Sequence, residues 1–413
     1  MSLQPQKLPE IPEEIANAAK ILYPKGNYFI WLRDELEAIY QDEQFASLYP
    51  KSGQPAEQPW RLALMSIIQF IETYTDRQAA DAMKARVDLK YALSLRLTDP
   101  GFDFSLLSEF RSRLIKGNAE EVLLTALLSA CKKRGILKDR GKQRTDSTHV
   151  EAAIRTMNRI ECVGETLRAA LNSLAVTVPN WLREHTPQEW YDRYERRMEE
   201  FRMPKDATKR DALIVQIGLD GFQVLKWVRD VDSPLWLREI PAVEILRQVW
   251  IQQFSVEEEK VHWRSNENIP PASLLISSPY DIEAHMSIKR DSMWTGYKVH
   301  LTETCDDISP NLIIHVETTS ATKPDMEMIE VIHQALEEKQ LLPSEHFVDT
   351  GYVDGKNLVS SQKKYGVELV GPVAIPGNWQ AKDGKGFDIS QFQIDWKKQE
   401  SHLPRWENQQ YLD

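Results

Sequence analysis

The chain has 413 residues, 42% of them hydrophobic and 27% charged, which excludes a disordered or fibrous polypeptide and leaves room for two or three domains. A net charge of −11 argues against a small basic nucleic-acid module, and three scattered cysteines, Cys131, Cys162 and Cys305, argue against a disulfide framework or structural zinc. No apolar run approaches the ~20 residues that span a bilayer and no apolar leader is visible at the N-terminus, so a cytoplasmic protein without a membrane segment is expected.

The first 140 residues read as helices. Pro59 opens one whose apolar face carries Leu64, Ile68 and Ile71. Thr75-Asp76 caps a second over Arg77 to Lys84, and a third falls near Leu89 to Leu95. After the break at Asp99-Pro100-Gly101, Ser105 is expected to cap a helix carrying Leu106, Leu107, Phe110 and Leu114, and a last helix runs from Ala119 to Lys133 and stops at Gly135. Short helices with brief connections suit a helix-turn-helix type of DNA-binding domain, although a small bundle with no such role has the same pattern.

A first strand is expected over 146–150. A long helical stretch follows, from Glu151 to Leu174 and again from Trp181 to Met203. There Trp181, Trp190, Tyr191 and Tyr194 stand beside Arg193, Arg196 and Arg197, a mixture that either stacks on bases and holds phosphates or forms a buried seam with a wet basic face. Val243 to Phe254 is a further helix, ahead of Glu257-Glu258-Glu259, and Asn266 to Pro279 is loop-like. Period-two strands then appear at Tyr297 to Leu301 and at Leu312 to Thr318. Pro324 and Asp325 start a helix along Met328, Ile329, Ile332 and Leu336, with Asp325 as a first-turn residue. Strands at His346 to Asp349 and Val367 to Val373 complete an α/β pattern with a mixed sheet, interrupted after its first strand.

Two acidic residues sit on short apolar runs about 200 positions apart, Asp146 and Asp349, each at or near a strand end. Each taken singly fits a helix cap or a turn. Taken as a pair on different strands, they are the start of a site where two divalent ions stabilise the attacking and leaving oxygens of a phosphoryl transfer. Mg²⁺ prefers oxygen ligands, so Asp suits it and the neighbouring His149 and His346 do not. Leading into Asp146 is a basic block, Lys132, Lys133, Arg134, Lys138, Arg140, Lys142 and Arg144, opposed only by Asp139. The block is either a solvated helix end and loop or a phosphate-binding surface.

Three strings, Asp146-Ser147-Thr148-His149-Val150, Trp294 through Cys305, and Val348-Asp349-Thr350-Gly351-Tyr352-Val353-Asp354, resemble transposases of bacterial insertion sequences, specifically the insertion-sequence 1182 group of the insertion-sequence 4 superfamily. The segment Tyr365 to Pro372 and the helical region Pro59 to Leu114 resemble the same group. The resemblance implies an RNase H-like core over 141–379 with a helical insertion at about 151–288, behind an all-α N-terminal domain over 1–140 that binds DNA. It implies Asp146 and Asp349 as the first two members of a DDE triad holding Mg²⁺, with Mn²⁺ as a substitute. It further implies cleavage and strand transfer at the terminal inverted repeats of the chain's own element, with a homodimer on DNA as the candidate assembly.

The family's third acid, a Glu on a later helix, has no counterpart here: Glu400 and Glu407 are the only late glutamates and neither sits in the family context. A truncated, mobile tail over 380–413 is therefore expected, produced by a frameshift near Glu400, and with it an inactive enzyme. The competing readings are a non-catalytic DNA-binding relic or repressor of transposition, and an RNase H-like nuclease.

Overall fold

The computed structural model describes residues 1–36, 39–289 and 292–374, together with the backbone of two short strands, Gln393–Asp395 and Glu400–His402. Apart from those two strands, the tail expected over 380–413, Glu407 included, lies outside the described residues. The chain divides into two compact units, residues 1–141 with 304–314, and residues 142–303 with 315–413.

The first unit is built on helices α1 (Glu13–Leu22), α2 (Tyr28–Leu36), α3 (Pro59–Ile71), α4 (Asp76–Ala85), α5 (Val87–Ala92), α6 (Ser105–Lys116) and α7 (Glu121–Lys133). Their apolar faces meet around Phe45, Trp60, Met65, Ile68, Met83 and Phe110. Leu64 and Ile68 are buried as the spacing requires, whereas Ile71 at the end of α3 is exposed. Thr75 caps α4 in a reciprocal pair: its hydroxyl accepts from the Gln78 amide at 3.3 Å, and the Gln78 side chain accepts from the Thr75 amide at 2.9 Å. Two helix ends differ from expectation. Ser105 lies inside α6, and Asp103 accepts its amide at 2.9 Å. Helix α5 stops at Ala92 because Ser94 turns left-handed (φ +50°) and the Leu95 amide bonds back to Lys90 O at 2.9 Å.

In the second unit β1 (Lys142–Glu151) is longer than the sequence suggests. Its buried positions are Gln143, Thr145 and Ser147, polar residues that conceal a period-two strand from a hydrophobic pattern. The helical stretch after it forms α8 (Arg159–Thr177), α9 (Pro179–His185), α10 (Glu189–Tyr194), α11 (Ala207–Trp227) and α12 (Pro241–Gln253), packed around Leu167, Leu174, Ile217, Leu246 and Trp250. The aromatic-basic string there is chiefly a seam. Trp190 and Tyr194 are buried, the Tyr194 hydroxyl donates to Asp220 at 2.6 Å, and Arg193 pairs with the same carboxylate.

A hairpin unmarked by the sequence follows, β2 (Phe254–Glu257) with β3 (Lys260–Trp263). Its two turn residues, Glu258 and Glu259, are both left-handed, at φ +48° and +64°, where Asn or Gly would have announced the turn.

Strands β4 (His285–Lys289), β5 (Ser292–Thr304) and β6 (Ile313–Ser320), helix α13 (Ile329–Glu338), β7 (Glu345–Val348) and β8 (Glu368–Val370) complete the fold. The sheet order is β4-β5-β1-β7-β8, with β6 also beside β5; β4 runs antiparallel to β5, and β7 runs parallel to both β1 and β8. The architecture is therefore mixed α/β with a mixed sheet. Gly296 lets β5 close on the end of β1: a Cβ there would lie 2.1 Å from Val150 O and 2.7 Å from Ala152 N, backbone atoms that cannot swing away. Among the described residues no helix is long and apolar enough to cross a membrane.

Candidate active site

Strand register brings the two aspartates together. The last paired residues of β1 and β7 are Thr145 and Val348; Asp146 follows within β1, and Asp349 is the first residue past the end of β7. Neighbouring strands lie about 5 Å apart, so the two carboxylates start from adjacent backbone positions. Alternation sends Lys142, Arg144 and Asp146 to the outer face of β1, while Gln143, Thr145 and Ser147 face inward. Both aspartates are exposed. Each carboxylate is steadied by a backbone amide just ahead of it: Ser147 N donates to Asp146 Oδ1 at 2.7 Å, and Gly351 N donates to Asp349 Oδ1 at 2.9 Å. Among the described residues neither is paired with a lysine or arginine.

Behind the aspartates lies a buried polar chain. Thr145 Oγ1 meets Thr302 Oγ1 at 2.7 Å and His346 Nε2 at 2.7 Å, and His346 Nδ1 meets His333 Nε2 at 2.9 Å. His346 and His333 are fully buried. Burial holds both imidazoles neutral, and their mutual proximity lowers His346 further. A second set of bonds stands beside it: His300 Nδ1 is 2.6 Å from the Tyr352 hydroxyl. Burial lowers the His300 pKa against the opposing pull of Asp325. Burial first, and then the nearby charge of Asp325, pushes the Tyr352 phenol up. Neither histidine that flanks an aspartate in the sequence reaches the carboxylates as a ligand: His346 belongs to the core, and His149 stacks on Trp294 with centroids 5.2 Å apart.

By its place after Pro324 in the sequence, Asp325 is a helix-start residue only. It accepts from Ser147 Oγ at 3.3 Å and from Lys298 Nζ at 2.9 Å, which places it at the site. The available signal was Lys298, a lone cation in the alternating strand Tyr297 to Leu301, which needs a partner when half-buried. Two hard carboxylates are a suitable start for Mg²⁺ or Mn²⁺. No group of three His, Cys, Asp or Glu side chains able to hold a metal occurs among the described residues.

The basic block divides between the two units. In the first, Lys132 pairs with Asp139 at 3.2 Å, Arg134 with Glu35 at 3.2 Å and Lys138 with Asp306 at 3.7 Å; Lys133 and Arg140 are exposed, the latter left-handed at φ +54°. In the second, Lys142 pairs with Glu345 at 3.5 Å and Arg144 with Glu303 at 2.6 Å. Exposed pairs of this kind contribute only ~0–1 kcal/mol, so a phosphate competes with them at small cost.

Residues 22–113, which span α2 to most of α6, match the family model described as a transposase domain, DUF772. The match supports a transposase lineage. A search of curated proteins and a search of solved structures give no match.

Proposed function

We propose that this chain is a transposase of the DDE type, of the insertion-sequence 1182 group, whose Asp146 and Asp349 hold a divalent metal. The observation that carries the reading is the register of β1 and β7, which gives the two aspartates adjacent backbone positions, Asp146 within β1 and Asp349 just past the end of the parallel strand β7. Support also comes from the transposase-domain match over 22–113 and from a mixed sheet whose first strand is followed by a helical stretch, as an RNase H-like core with an insertion requires. In this reading residues 1–140 bind DNA, 141–379 form the catalytic core, and the partner is the terminal inverted repeat of the chain's own element, engaged in the cytoplasm by a homodimer.

When bound, Mg²⁺ or Mn²⁺ would polarise the scissile phosphate and lower the pKa of the attacking oxygen. The chain's own part is to orient two carboxylates through the Ser147 and Gly351 amides. Arg144 and Lys142, on the same face of β1 as Asp146, are placed to meet the flanking phosphates.

A second reading, a DNA-binding protein without cleavage that acts as a relic or repressor, rests on the late glutamates Glu400 and Glu407, neither of which stands in the family's third-acid context. We propose accordingly that the purified chain binds DNA flanking its gene and does not nick it. The assay is incubation with labelled flanking DNA and Mg²⁺ or Mn²⁺. Sequence-specific retardation supports the transposase reading; equal affinity for unrelated DNA removes it. Nicking that disappears in Asp146→Ala would establish an active site whose third ligand comes from elsewhere.

A further inference from the structure

Asp325 enters the site from a segment that neither aspartate-bearing strand contains, the turn Asp325–Glu327 ahead of α13. Its Oδ2 accepts from the hydroxyl of Ser147, the residue after Asp146. The same oxygen lies 3.1 Å from the point a Cβ would occupy on Gly351, and Asp349 Oδ1 lies 3.2 Å from that point. Asp325 thus reaches both the residue after Asp146, within β1, and the turn after Asp349. Its other oxygen is taken by Lys298 Nζ, which also donates to Lys323 O at 2.7 Å. Both side chains of the pair are only 19% exposed. Asn357 joins the Asp325–Glu327 turn to the Thr350–Tyr352 turn by donating to Met326 O at 2.7 Å and Tyr352 O at 3.0 Å.

We propose that Asp325, held by Lys298, is a positioning residue that sets the Asp146 stretch of β1 and the turn after Asp349 against each other. This inference rests on the reading of those aspartates as metal ligands. Asp325 acts through Ser147 and the Gly351 turn, with one oxygen held by the Lys298 ammonium and the other by the Ser147 hydroxyl. Gly351 is the partner that makes the approach possible: any side chain there would press on both the Asp325 and Asp349 carboxylates.

The test uses the full chain and two readouts. Hydrogen exchange of the segments holding the Ser147 and Gly351 amides reports the two carboxylate-bearing segments directly. In Asp325→Ala both segments should exchange faster by roughly fivefold or more, the equivalent of one lost hydrogen bond, while α13 and β7 keep their protection. Lys298→Met should reproduce the effect and Lys298→Arg should largely reverse it. Unchanged exchange in either segment overturns the proposal, with or without metal.

The second readout is Mn²⁺ binding, followed by water-proton relaxation. Asp325→Ala and Lys298→Met should each weaken it by roughly tenfold, as loss of a supporting residue does. Tighter binding in Lys298→Met would mean that the freed carboxylate is a ligand, and positioning would be the wrong role. If Asp146→Ala and Asp349→Ala bind Mn²⁺ as the wild type does, the metal-site reading falls, and the exchange data alone then decide whether Asp325 orders the turns.

Discussion

The apolar centre of the helical unit and the polar layer beneath Asp146 and Asp349 solve the same problem by different physics. Around Phe45, Trp60, Met65 and Phe110, contacts are non-directional, and the energy follows the area removed from water. Buried polar groups are few there and answered, as where Asp88 holds Arg86 at 2.7 Å and Lys90 donates to Asp99 O at 2.7 Å. Behind the aspartates the burial is of Thr145, Thr302, His300, His333 and His346, and each needs one particular partner at one distance. An apolar core tolerates many packings, whereas a layer of buried polar groups held by directional bonds admits few. The site that must hold two carboxylates in register stands on the second kind.

The widest separation between the two regions should come from Trp60→Ala. Trp60 is 1% exposed, and truncation should cost ~3–5 kcal/mol, read as a drop in the unfolding midpoint with faster exchange in α3 and α6. Equal loss of protection in β1 and β7 would mean that the two regions do not fold as separate cores.

Acid should strike the polar layer instead. In the unfolded chain His333 and His346 titrate near 6.5; in the folded protein burial lowers both. Between those values the unfolded chain binds more protons, so their contribution is fully present above about pH 6.5 and is lost as pH falls through the depressed values. Urea midpoints of the second unit, followed from about pH 8 to about pH 4, should decline below about 6.5. In a His333→Gln, His346→Gln double variant that part of the decline should vanish; a decline of the same size would exonerate the pair.

A smaller effect is expected from His346→Leu, which keeps the volume apolar but strands the His333 Nε2, while the Thr145 hydroxyl keeps Thr302 as a partner. The cost should be ~1–3 kcal/mol, and a variant that also carries His333→Leu should recover part of it, since removing both partners is cheaper than orphaning one. Full additivity of the two changes would show that the chain of bonds is not coupled.

Least of all should stability respond to the surface cations. Arg144→Gln should shift it by only ~0–1 kcal/mol, because the pair with Glu303 is exposed. Its effect belongs to DNA: each lost phosphate contact should lower the log–log salt slope by about one unit, and the same holds for joint neutralisation of Lys132, Lys133, Arg134 and Lys138. An unchanged slope would leave these residues as solvated surface with their glutamate and aspartate partners.

The sequence by itself determined the elements whose signals are local. Pro59, the Thr75 to Gln78 box and Gly135 mark helix ends through the chain's own dihedrals and amide bonds, and the two aspartates stand out by residue type. It misread elements whose signal was carried by unusual residues: β1, whose inward positions are polar, and the β2–β3 hairpin, whose left-handed turn is made by glutamates. Only the tertiary structure decided that Asp146 and Asp349 are neighbours, because strand register is set by pairing between segments far apart in the chain. It alone decided the place of Asp325 as well. Lys298 and Asp325 are 27 positions apart, and a half-buried cation finds its carboxylate through the fold, where desolvation makes an unpaired charge too costly to leave.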